Sequence, residues 1–310
     1  MITKPFSTLT ERECAELLAF MRGLSAQPPY PDLASMGRSL SAPGFEGGRT
    51  FLTVWSDEGT LCGTVGVVTR EVVARGEAFL TSVFVERERA GILPCLLLQA
   101  YKLLAVQAPP GTIVRLGLRE ESDYLRVAVL EAGFRECYRV LELRRAAAEP
   151  VPADLGLTFA PVSAETLPDF VTVHNAAFLT SPNGGQVSAG EVAEAATEAA
   201  APDLLQVGYL AGVPVTMFEL RLEDDTGWID GLGVHPDHQG RGFGRASLRR
   251  ALATLLAHGV TEVRLRVVEA NATALALYRE EGFVQDKVVS TFFVISLAEA
   301  LKQPGAPLGQ

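Results

Sequence analysis

The sequence predicts an α/β protein with a mixed sheet, present in two copies. Two observations carry the prediction. The first is internal similarity at a constant spacing of 149 residues, which takes Leu61-Cys62-Gly63 to Leu210-Ala211-Gly212, Val85 to Val234 and Val114-Arg115-Leu116 to Val263-Arg264-Leu265. The same spacing takes Glu120 to Glu269 and Gly133-Phe134 to Gly282-Phe283, and five ungapped matches across most of each half read as a repeat. The second is length: 310 residues are about twice a typical single domain. The seam is expected where small residues and Pro150 and Pro152 interrupt the periodic pattern. This gives domains 1–150 and 151–300, with 301–310 as a loose, aperiodic tail.

The second half reads element by element. A short strand, 157–160, precedes a helix at 164–178 whose apolar spacing runs through Leu167, Phe170, Val171 and His174. An alanine-rich helix follows at 193–201. Strands at 206–210 and 213–222 are joined by the turn Ala211-Gly212, and a turn at 224–227 leads to a third strand, 228–234. A loop, 235–241, enters a helix at 242–257 that His258-Gly259 stops. A β-branched strand, 262–268, comes next, then a short helix capped by Asn271 and ended by Gly282, and a last strand at 288–297. The pattern implies three antiparallel strands before the glycine-led helix and a parallel neighbour after it.

Composition narrows the function. Lysine plus arginine at 27 against aspartate plus glutamate at 37 gives a net charge of −10, which works against general binding to nucleic acid or anionic lipid. The N-terminus lacks a signal-peptide pattern and no stretch reads as long enough to span a bilayer, so a cytoplasmic protein, monomer or homodimer, is expected. The four cysteines form no C-x-x-C pair and sit among apolar neighbours, so buried free thiols are expected. His235 and His238 flank Pro236 in a loop with no third ligand, and no metal site is expected.

The chemistry concentrates at Gln239-Gly240-Arg241-Gly242-Phe243-Gly244-Arg245, between a strand and a helix. Three glycines let backbone N–H groups approach a ligand, and the helix start offers amides without intrahelical partners at the positive end of its dipole. Arg241 and Arg245 could add charge at the rim. The physical reading is a pyrophosphate cradle. It is not a P-loop, since no Gly-Lys-Ser/Thr follows, and no acidic residue stands where a dinucleotide ribose would need one.

With these residues the sequence resembles the GNAT superfamily of N-acetyltransferases. Gln239, Gly242 and Gly244 match the family's Q/R-x-x-G-x-G/A signature, and residues 271–283 match its N-x-x-A-x-x-x-Y-x-x-x-G-F block. The resemblance covers residues 157–297 and implies acetyl-CoA as cofactor. Its pyrophosphate would lie on residues 239–245, its pantetheine along Leu232, Gly233 and Val234, and Asn271 on the other side. Tyr278 would protonate the departing thiolate. The acceptor is expected to be a primary amine of a small molecule that attacks directly. The position eleven residues before Gln239, where many relatives carry a base, is Trp228. Asp230 is therefore the first candidate base and Glu219 the second, with a water chain to a more distant base as a further possibility. His174-Asn175-Ala176-Ala177-Phe178 resembles a segment of mycothiol synthase, a two-copy member of the family, and His174, Asn175 and Phe178 are candidates for the acceptor site. That resemblance also leaves open acylation of a cysteinyl sugar, and the Trp228 departure leaves open acyl-CoA binding without catalysis. In the first copy the spacing places Ala90, Leu93, Cys95, Ser122 and Val129 where Gln239, Gly242, Gly244, Asn271 and Tyr278 stand, so that copy is expected not to turn over acetyl-CoA.

Overall fold

A computed structural model describes residues 1–25, 29–148, 155–182 and 184–303. The chain forms two compact units, one of Met1–Arg139 with Val289–Gln310 and one of Val140–Val288.

The first unit contains β1 (Ile2–Pro5), α1 (Glu11–Gly23), α2 (Leu33–Leu40), β2 (Phe51–Trp55), β3 (Leu61–Val68), α3 (Glu71–Arg75) and β4 (Glu77–Val85). It continues through α4 (Leu93–Gln107), β5 (Ile113–Arg119), α5 (Arg126–Glu131) and the start of β6 (Arg135–Ala146). Local signals set the ends: Thr10 and Glu13 close a capping box at the start of α1, and Gly76 ends α3 at φ +66°. Leu93, Leu96, Leu97, Ala100 and Leu104 of α4 are buried against Val65, Leu80 and Leu116 of the sheet.

The second unit repeats that order. It runs through β7 (Leu157–Pro161), α6 (Leu167–Phe178), α7 (Ala189–Glu198), β8 (Leu205–Leu210), β9 (Val213–Glu223), β10 (Thr226–Val234), α8 (Phe243–Ala257), β11 (Glu262–Val268) and α9 (Ala272–Glu280). The chain then passes through β12 (Val284–Ser296) and α10 (Leu297–Ala300) back into the first unit. As expected, β8, β9 and β10 are antiparallel and β11 is parallel to β10. Leu248, Leu252 and Leu255 of α8 share a core with Leu220, Ile229 and Leu265.

The final strands are exchanged. Residues 140–146 of β6, from the first repeat, pair antiparallel with β11 inside the second unit. Residues 290–296 of β12, from the second repeat, pair antiparallel with β5 inside the first. The units therefore divide near 139 and 288, whereas the expected seam near 150 falls at 149–154, outside the described residues. Helix α10 (Leu297–Ala300) ends just before the expected tail, 301–310, of which 304–310 lie outside the described residues.

The 149-residue spacing holds where the elements that flank the site begin and end: β4 and β10 occupy 77–85 and 226–234, and β5 and β11 occupy 113–119 and 262–268. It fails upstream. Leu210-Ala211-Gly212 is the β8–β9 turn, with Ala211 and Gly212 at positive φ, whereas Leu61-Cys62-Gly63 lies inside β3. Two further expectations are corrected. Cys137 is exposed at the start of β6, where residues 135–137 all face solvent, and Cys14 is only half-buried. The helical run Arg87–Gln107 is long and apolar enough to cross a membrane by length and composition, although its apolar face is buried in the first unit's core.

Candidate active site in the second unit

Strands β10 and β11 pair from Thr226 with Glu262 to Ile229 with Leu265 and then part, while β11 stays paired with β6 as far as Val268. Beyond the parting point, Leu232, Gly233 and Val234 pair only with β9, which leaves a strand edge facing the opening. A cleft of about 720 Å³ occupies this region, bounded by β10, the 238–245 loop, α9 and the end of α6. Among the predicted residues it brings together Leu232, Gly233, Val234, Gln239, Gly240, Gly242, Phe243, Gly244, Arg245, Asn271, Tyr278 and Phe178, whereas Asp230, Glu219, Arg241, His174 and Asn175 are not among its lining residues.

The loop is built as a cradle. Gly240 and Gly242 sit at φ +74° and +84°, a region that L side chains rarely adopt. Gly242 starts α8 with no side-chain cap, and the N–H groups of residues 240–245 donate to no acceptor among the described residues. Gln239 Nε2 donates to Val234 O at 3.1 Å, tying the loop to the end of β10. Nothing lies within 4 Å of a Cβ built on Gly240, so the inner surface is open to an anion. Residues 240–244 thus fit the pyrophosphate of an acyl-CoA. Arg245 does not stand free at the rim: its guanidinium pairs with Glu280 and, at 3.0 Å, with Glu281, which also holds Arg249 at 2.8 Å. Arg241 is exposed. Asn271 Oδ1 accepts from Ala274 N at 3.1 Å, so its side chain caps α9 while lining the cleft.

Tyr278 is buried, and burial pushes its hydroxyl pKa up to about 12. Its ring meets Phe283 edge-on at 5.8 Å. Asp230 is the extra residue of a β-bulge between Ile229 and Gly231, and Arg221 holds it, Nε to Oδ2 at 2.8 Å, on an exposed edge. Its charge is committed, a coupling that alternation along the strand could not reveal. Glu219, register partner of Gly231, has no hydrogen bond or ion pair among the described residues. Its carboxyl is held above the usual carboxylate range by burial first and by the charge of Asp230 second. Of the two candidate bases, Glu219 is the uncommitted one.

The chain matches the acetyltransferase (GNAT) family over residues 179–283. It is 30% identical over 253 residues to a mycothiol acetyltransferase of Clavibacter michiganensis, covering 77% of this chain and 78% of that protein. The chain belongs to the GNAT acetyltransferase family. It is an acyltransferase that uses acyl-CoA. Among solved structures, a GCN5-related N-acetyltransferase from Sphaerobacter thermophilus superposes with TM-score 0.69 at 18% identity, covering 99% of this chain and 97% of that one. A tandem GNAT protein from the clavulanic acid biosynthesis pathway superposes with TM-score 0.66 at 16% identity, covering 96% and 98%. These two show the fold.

The GNAT site differs from expectation around α6. Phe178 lines the cleft, where it and Ala177 approach β10 so closely that a Cβ on Gly233 would stand 2.8 Å from the Ala177 Cβ. Asn175 is turned to the chain: its Oδ1 accepts from Val187 N at 2.8 Å and its Nδ2 donates to Val187 O at 3.0 Å, holding the segment before α7. His174 stacks between Phe170 and Phe178 at 6.4 and 4.7 Å. Sequence reasoning missed Thr180, Ser181, Pro182, His238 and Thr273 in the lining, which carry no periodic or motif signal.

The first unit's counterpart lacks the glycine cradle. Leu93 and Cys95, where the GNAT glycines stand, are buried, and Pro94 removes an amide at the helix start. Tyr124, at the position equivalent to Thr273, sends its hydroxyl to the carbonyl of Val85 at the end of β4, and Arg87 lies 4.6 Å over its ring.

Proposed function

We propose that the second unit transfers the acetyl group of acetyl-CoA to the primary amine of a small-molecule acceptor by direct attack. The observation that carries this reading is one cleft holding, in order, a cradle of unpartnered amides, an unpaired strand edge and a buried tyrosine hydroxyl. Acetyl-CoA supplies the thioester carbonyl, to which the amine nitrogen bonds as the carbon–sulfur bond breaks. Residues 240–244 hold the pyrophosphate, and the free edge of Leu232, Gly233 and Val234 aligns the pantetheine as an added strand. Glu219 accepts the proton lost by the amine, and Tyr278, kept protonated by burial, gives its proton to the leaving sulfur. No enzyme nucleophile is required. The first unit, with Leu93, Pro94 and Cys95 in place of the cradle, supports the second without turnover.

Thiol release from acetyl-CoA with a panel of primary amines tests the reading. Acceptor-dependent release is expected, and acetyl-CoA binding without release for any amine would contradict it. The similarity to curated mycothiol acetyltransferases supports a second reading in which the acceptor is a cysteinyl sugar amine, so such an amine belongs in the panel.

A further inference from the structure

The face of the second sheet that carries Glu219 also carries a half-exposed cation, Arg266. Thr216 Oγ1 lies 2.8 Å from Ser247 Oγ of α8, so even-numbered residues of β9 face that helix and odd-numbered ones, including Glu219 and Arg221, face the other way. Trp228 is the register partner of Arg221 on β9 and of Arg264 on β11, which puts Arg266, two residues further on, on this same face. Arg266 lies just past the last β10–β11 pair, where the strands part.

Arg266 is held ready for a ligand. Its Nε donates to Glu142 Oε2 at 3.4 Å, and its guanidinium lies 5.1 Å from the centroid of the Trp228 ring. Glu142 is itself buried, 1% exposed, and accepts from Arg264 at 2.7 Å. The two terminal nitrogens of Arg266 make no hydrogen bond or ion pair among the described residues, and the side chain is 48% exposed. Arg221, on the opposite side of Trp228, is by contrast tied to Asp230 and Glu223. The face therefore presents one carboxylate without a partner among the described residues and one guanidinium that pairs through Nε and leaves its two terminal nitrogens free of protein partners there. Beside Arg266, Trp228 contributes an indole Nε1 that is buried with no hydrogen-bond partner among the described residues, and Gly231, register partner of Glu219, contributes no side chain.

We propose that the acceptor is an amino-acid-like molecule: its amine engages Glu219 and a nearby carboxylate engages the fork of Arg266. The proposal rests on the acetyltransferase reading above and specifies its substrate class. Glu219 is the register partner of Gly231, and Arg266 follows Leu265, the partner of Ile229, so both side chains lie on one face close to the point where β10 and β11 part. A molecule that carries both an amine and a carboxylate offers each of them a charge-assisted hydrogen bond. A Cβ on Gly231 would stand 3.9 Å from Glu219 Oε2, in ordinary contact with it. An acceptor bearing only an amine would leave the terminal nitrogens of Arg266 unused.

The test compares free amino acids with the amines left by their decarboxylation, as pairs sharing a side chain, with acetyl-CoA and the full chain. The wild-type protein should favour the amino acid of each pair by about tenfold or more in kcat/KM, as expected for a charged hydrogen bond lost from one partner. Arg266→Gln should erase that preference through KM for the amino acid, leaving the decarboxylated amines and acetyl-CoA affinity within about twofold, and Arg266→Lys should restore part of it. Equal use of both members of each pair by the wild type, or an Arg266→Gln loss shared equally by both, overturns the proposal while leaving the acetyltransferase reading intact. Acetyl-CoA binding with no turnover of any amine overturns the reading beneath it and the proposal with it.

Discussion

Tyr278 and Glu219 divide the proton traffic, and each leaves a distinct signature. Burial raises Tyr278 to about 12, so its hydroxyl keeps its proton through the neutral range. Tyr278→Phe should lower kcat by roughly 100-fold or more, the usual contribution of a positioned acid, with acetyl-CoA affinity nearly unchanged by calorimetry. Glu219 is raised above the ordinary carboxylate range, so its protonated form, which cannot accept a proton, persists to higher pH than for a free glutamate. The acid limb of the kcat/KM profile should therefore lie above that of a solvated carboxylate, with activity lost as pH falls through it. Glu219→Gln should remove that limb along with most of the activity, and a profile unchanged in Glu219→Gln would assign the base elsewhere. The sequence could name both carboxylates but not rank them. What decides between Asp230 and Glu219 is a bulge and an arginine on the adjacent strand, and neither leaves a local mark.

At the scale of elements, the strand–loop–helix of β10, the 235–242 loop and α8 was legible because its requirements are local: glycine at positive φ, an uncapped helix start and a β-branched strand beyond. The corresponding run of the first unit was legible for the complementary reason, since Leu93, Pro94 and Cys95 put side chains and a proline where amides are needed. The hydrogen bond from Tyr124 to the carbonyl at the end of β4 was not, because the reach of a side chain to a strand end has no sequence period. Tyr124→Ala should lower the stability of the protein by about 1–3 kcal/mol, read as an earlier thermal midpoint, and leave acetyl transfer intact. A loss of turnover without a loss of stability would give the first unit a direct catalytic part. The turn at Ala211-Gly212 shows the limit of matching by spacing: its likeness to Leu61-Cys62-Gly63 pairs a turn with a strand.

For the whole molecule, the repeat could be read from the sequence and the exchange of final strands could not. Periodicity states that 140–146 and 290–296 are strands, but their partners are chosen by packing over long chain separations. The consequence is mutual dependence. A chain ending after Phe283 loses the strand that pairs with β5 along 113–119, so the amides of 117–119, which lie past the last β4–β5 pair, should exchange rapidly with solvent in the truncated protein. Protection equal to that of the full chain would contradict the pairing. An isolated first half would likewise lack β12 and is a poor probe of what the first unit binds. The decisive measurement is calorimetric titration of the intact protein with acetyl-CoA, alongside Gly242→Val, which places a branched side chain at φ +84° in the cradle. The account predicts one site per chain in the wild type and none in the variant, with the variant still folded by circular dichroism. Two sites in the wild type, or a site that survives in Gly242→Val, would contradict it.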